Sequence, residues 1–215
     1  MEKLPLYKLI IDETDTNDSG VNFVALVDQP ATDQVWMAFN KHYQFKSTSS
    51  EKRIISGGLM IANLPIYRED SKLGKYYVVF DKETIFKIVK KYFRNGFTSN
   101  VNLMHDAEKK VDGVYMIESM IIDKDRGMVA PAGFGDLPDG SWFGSFKVDN
   151  NEVWDKFIKT GTFTGFSVEG LFKQEYVVDA TAQTLESLHD RIAKLRKEVN
   201  KLLQIDRKST RLNSS

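Results

Sequence analysis

Two residues of this sequence have side chains that could carry out acyl transfer together. Ser167 stands in the stretch GTFTGFSVEG, residues 161–170, and His105 ends the apolar run in NVNLMHD. A serine hydroxyl is a poor nucleophile until a neighbouring base takes its proton, and an imidazole that titrates near neutrality suits that task. His105 is followed by Asp106, and its place at the end of a β-prone run puts it at a strand rim, open to solvent and substrate. Backbone N–H groups in the glycine-containing stretch around Ser167 could supply an oxyanion site. From local sequence alone, a plainer reading stands beside this one, with Ser167 as a small inward residue of an ordinary strand. His42, in NKHYQFK, and His189, beside a heptad seam, read as solvated side chains. Other chemistries lack their signatures, since the chain has no G-x-S-x-G elbow, no G-x-x-x-x-G-K-[ST] phosphate loop, no H-E-x-x-H and no cysteine.

The elements that must position these residues are mainly strands. PLYKLIID and VNFVALVD are short β-prone runs bounded by turn-formers, IISGGLMIANLPIYR is broken by glycines and Pro65 and reads as a bent or edge strand, and KYYVVF is a further strand. KSTSSEKR reads as a polar loop. From Asp81 the period changes: Ile85, Phe86, Ile88, Val89, Tyr92 and Phe93 recur at helical spacing, with Asp81 as cap and Gly96 as stop. NVNLMHD and GVYMIESMII are expected to form an antiparallel hairpin through the charged turn AEKKVD, which would bring Glu118 alongside the His105 strand. The glycine- and proline-rich KDRGMVAPAGFGDLPDG leads into the strand SWFGSFKV, then a short helix over NNEVWDKFIKTG, then the serine strand.

Length and composition favour one main domain with an appendage, for 215 residues with 41% hydrophobic content can bury one sizeable core. Thirty basic and thirty acidic side chains cancel, which disfavours binding to nucleic acid or an anionic membrane. The absence of cysteine fits a reducing compartment, and neither a transmembrane run nor a signal-peptide core is present, so a soluble intracellular protein is expected. Leu185, Leu188, Ile192, Leu195, Val199 and Leu202 alternate spacings of three and four, the pattern of a coiled coil. The final DRKSTRLNSS has no periodicity and resembles the translation of a sequencing-adapter read-through. Asp206 to Ser215 are therefore expected to be non-native, with the natural chain continuing past residue 205. The domains expected are 1–178 as the main domain, 179–205 as a truncated helical extension and 206–215 as the adapter-derived tail.

The order VNFVALVDQPA, GGLMIANLPIYR, NVNLMHD, YMIESMIID, WFGSFKV and TGFSVEG resembles the phage serine protease family, a branch of the prohead (procapsid maturation) proteases, over roughly Val21 to Leu171. The histidine at the end of an apolar run, with a serine strand after it, is also similar to the herpesvirus assemblins. The resemblance implies an α+β, mainly β fold: an assemblin-like small antiparallel β-barrel surrounded by helices, followed by the heptad helix. It implies a serine endopeptidase with Ser167 as nucleophile and His105 as general base, needing no cofactor. Assemblins use a second histidine after the serine strand. The only later histidine here is His189, poorly placed in the heptad helix, so an acid is expected to substitute. Glu118 leads, with Asp106 and Glu169 in reserve. The implied substrates are scaffold and major capsid protein, cut inside the assembling procapsid in the host cytoplasm, with self-cleavage and self-association through the C-terminal helix. The alternative is a catalytically inactive scaffold or capsid-assembly protein on the same fold, in which the heptad helix does the work.

Overall fold

The computed structural model describes residues 4–12, 19–28 and 44–177. The heptad segment, His42, His189 and the final ten residues lie outside them. The strands are β1 Leu6–Ile10, β2 Gly20–Val27, β3 Lys46–Ser49, β4 Ile54–Met60, β5 Ile66–Asp70, β6 Gly74–Val79, β7 Val101–Leu103, β8 Asp106–Lys110, β9 Val114–Ile121, β10 Trp142–Val148, β11 Gly165–Leu171 and β12 Lys173–Tyr176. They form three four-stranded sheets, ordered β12-β1-β6-β5, β3-β4-β10-β9 and β11-β2-β7-β8. The fold is mainly β, as the composition of the runs predicts. The expected closed barrel is replaced by three open sheets among the described residues, each ending in edge strands.

Helix α1, Lys82–Arg94, starts where the sequence predicts: the Asp81 carboxylate accepts from the Thr84 N–H at 2.8 Å. Its buried face carries Ile85, Ile88 and Tyr92, and the Tyr92 ring meets Trp142 of β10 edge-on at 5.1 Å. A second helical segment, α2 Asn151–Val153, is capped by Asn150 and runs on into a π-helical turn at Trp154–Ile158. Leu26, Ile55, Val101, Trp142 and Phe146 are fully buried between these elements. Among the described residues no helix is long and apolar enough to cross a membrane.

Two expectations fail for one reason each. KSTSSEKR is half strand, because β3 pairs with β4 and its hydroxyls are bonded there: Thr48 Oγ1 lies 3.0 Å from Ser56 Oγ, which lies 2.8 Å from Ser145 Oγ. The expected hairpin between the His105 and Glu118 strands does not form, because the chain turns earlier. Met104 and His105, with φ of 54° and 59°, make a two-residue turn between β7 and β8, and Leu103 faces Asp106 across it. Positive φ at both central positions is the arrangement of a type I′ hairpin. AEKKVD therefore supplies most of a strand rather than a turn, and β9 leaves to pair with β10 in another sheet.

Candidate active site

The site is built on the sheet β11-β2-β7-β8. Central β2 pairs antiparallel with β11 and parallel with β7, so that Ser167, Ala25 and Asn102 stand in one row. Residues directly opposite one another share a face, as do residues two apart on one strand. Ser167, Glu169, Ala25 and Asn102 therefore share one face of the sheet. The small Ala25 stands in this row between Ser167 of β11 and Asn102 of β7.

The side chains of His105 and Asn102 meet at Glu169. Its Oε1 lies 2.8 Å from His105 Nδ1 and accepts a hydrogen bond from Asn102 Nδ2, also at 2.8 Å. The His105 side chain is 43% exposed and that of Glu169 24%, so the pair sits at a rim that water and a peptide can reach. With Nδ1 donating to the carboxylate, the tautomer is set and Nε2 is left as the basic nitrogen. Ser167 is two residues from Glu169 on the same strand and face, and is nearly buried at 6% exposure. Its hydroxyl makes no hydrogen bond to any described residue. The other buried serines are engaged: Ser56 and Ser145 with each other, and Ser141 Oγ with the Ala62 N–H.

His105 holds this position at a cost. Two consecutive non-glycine residues in the left-handed region are uncommon, and each costs of order 1–3 kcal/mol. Asn or Gly would relieve the turn, but neither could reach Glu169 with an imidazole.

Glu118 is not part of this cluster. It is exposed on β9, opposite Ser145, in the sheet β3-β4-β10-β9. The expectation that it partners His105 is corrected, because the hairpin that would have carried it there closes with β8 instead. Glu169, held in reserve from its alternation with Ser167, is the acid that contacts the imidazole. Asp106 begins β8 beyond the turn.

Asn102 is the residue that sequence reasoning missed. It is fully buried, donates to Glu169, and leaves its Oδ1 buried with no partner among the described residues. A carboxamide inside the apolar run VNL was the available signal, since a polar group there needs a partner.

Beside β11 lies a cleft of about 470 Å³ lined by Ser167 and Glu169, by apolar side chains of β4 and β6, and by Arg68 of β5. Arg68 is partly buried, and desolvation first of all lowers its pKa below the ordinary value, with Tyr76 opposing. As β11 is the outer strand of its sheet, its far side is open to the cleft.

No match was found among curated proteins, and none among solved structures. The family described as "Putative phage serine protease XkdF" matches residues 45–176, a span that holds β3 to β12, His105, Ser167 and Glu169. More than half of the chain is covered, and the chain belongs to this phage serine protease family.

Proposed function

We propose that the protein is a prohead serine endopeptidase of assemblin-like kind that cleaves scaffold and capsid-protein extensions, and itself, during capsid maturation. The observation that carries this reading is the 2.8 Å contact between His105 Nδ1 and Glu169 Oε1 on the strand and face that bear Ser167. Ser167 is the nucleophile, His105 the general base and Glu169 the acid that orients it. Ser167 Oγ bonds to the scissile carbonyl carbon as His105 Nε2 takes its proton. The imidazolium, stabilised by Glu169, then gives that proton to the leaving amine as the C–N bond breaks. Water, deprotonated by the same nitrogen, releases the acyl group from Ser167. No cofactor enters this chemistry. An extended peptide laid along the outer edge of β11 would present its carbonyl to Ser167 through strand pairing. The setting is the assembling procapsid in the host cytoplasm, with the major capsid and scaffold proteins as partners and 179–205 as the self-associating helix.

Co-expression with the cognate capsid and scaffold proteins, followed by mass spectrometry of the products, tests the reading. Defined cleavage by the native chain, lost in Ser167→Ala at unchanged fold, is expected. Cleavage that persists in Ser167→Ala would overturn it. Intact substrates with both proteins, in assembled particles, would favour the inactive assembly protein.

A further inference from the structure

The cleft beside Ser167 contains a guanidinium, that of Arg68, with no ion pair among the described residues, for Glu169 on the same cleft is engaged by His105 and Asn102. Alternation along β5 puts Ile66 and Arg68 on the cleft side, opposite Val78 and Tyr76 of β6. Tyr67 and Glu69 fall on the other side and bond to each other, Tyr67 Oη donating to Glu69 Oε2 at 2.8 Å. Asp70 is also committed, accepting from the N–H groups of Lys72 and Leu73 and from Tyr76 Oη. Arg68 is left with one hydrogen bond, from Nη1 to the Tyr67 carbonyl oxygen at 2.9 Å, and with no ion pair among the described residues. A guanidinium has five N–H donors and stays protonated, so holding it half-buried among Leu59, Ile66 and Val78 is costly without an anion. An unpaired guanidinium is a weak support for the fold and is well suited to hold a carboxylate.

We propose that this cleft selects the substrate, taking a glutamate or aspartate side chain of the peptide bound at Ser167, with Arg68 holding its carboxylate. The assignment rests on the peptidase reading above. The apolar walls suit the methylene stem of an acidic side chain, and the guanidinium fork suits its end. The cleft is several times larger than one such side chain, which leaves space for a neighbouring residue of the same peptide. A lysine or arginine there would meet Arg68 with like charge, while the Glu169 carboxylate is already engaged by His105 and Asn102, so basic residues are disfavoured as glutamate is admitted.

Binding is measured on the full chain carrying Ser167→Ala, by fluorescence anisotropy with short labelled peptides that bear Glu, Gln or Lys at one central position. Blocked, amidated ends remove the terminal carboxylate as a rival ligand. The Glu peptide is expected to bind about tenfold tighter than the Gln peptide, the scale of a hydrogen bond to a charged group. Arg68→Gln erases the difference, and Arg68→Lys, which keeps the charge and loses the fork, retains part of it. Equal binding of Glu and Gln peptides, or a preference unchanged in both Arg68 variants, would overturn the proposal. A parallel reaction of the native chain with a fluorophosphonate separates the two claims. Ser167 modified with no acid preference removes the cleft assignment alone. Arg68-dependent acid preference with Ser167 unmodified upholds the acid-binding cleft and removes the peptidase.

Discussion

Glu169 receives two donors at one carboxylate oxygen, the His105 imidazole and the Asn102 amide, and both hold it over the row that contains Ser167. Replacing it with Gln keeps the shape, but the amide can present its N–H to the imidazole and favour the wrong tautomer. Glu169→Gln is expected to lower kcat by about 10²–10⁴-fold with little change in KM. Glu118→Gln, an exposed change in another sheet, should stay within about twofold. Steady-state kinetics on a cleaved peptide checks both. A large loss in Glu118→Gln with an active Glu169→Gln would reverse the assignment. The serine and histidine proposed for the site were read from the sequence because the proposed chemistry needs those side chains and their order resembles a family whose model matches residues 45–176. The acid was not, because its identity depends on which strand lies next to the histidine. That in turn depends on a turn at Met104 and His105, residues whose types do not announce one. Alternation did place Glu169 on the face of Ser167, and that weaker signal named the residue that contacts His105.

At the scale of elements, β11 is fixed against β2 through a register shift at Glu169 and Gly170. A Cβ on Gly170 would be driven into the carbonyl group of Gly20, where both neighbours are backbone and cannot move aside. Gly170→Ala should cost more than about 2 kcal/mol and displace Glu169, lowering both the melting temperature and activity. A wild-type melting temperature would show that β11 accommodates the methyl group. Helix α1 gives a milder case. Burial alone would raise the Asp81 carboxyl, but Lys8 and the Thr84 cap hold it below its ordinary value of 3.8. A lowered folded-state pKa contributes stability that is complete above the ordinary value and is lost as pH falls through the lowered one. Asp81→Ala should therefore cost about 1 kcal/mol near neutral pH, with the difference from the native protein shrinking below pH 3.8. Denaturant melts across that range check it, and a difference independent of pH would mean the charge plays no part. This helix was readable to its cap because periodicity and capping are local. The β3 strand and the β7–β8 turn were misread because pairing partners, not local propensity, decide them.

For the molecule as a whole, the heptads of 179–205 fall outside the described residues, and the proposal for them is self-association. A chain ending near Val178 should remain folded and run as a smaller species than the longer chain in light scattering. Equal masses would assign the heptads to packing on their own domain. The barrel expected from the assemblin resemblance is replaced by three open sheets, since closure depends on long-range strand order that alternation does not encode. What the open arrangement provides is an outer strand, β11, with Ser167 on it and a cleft beside it. The central claim is that this serine is activated by His105 and Glu169. Its most direct measurement is the mass of the full chain and the site of modification after reaction with a fluorophosphonate, for the native protein and for His105→Ala. The account predicts one adduct, on Ser167, forming at least about 10²-fold more slowly without His105. An unmodified Ser167, or one modified at the same rate in His105→Ala, would contradict it.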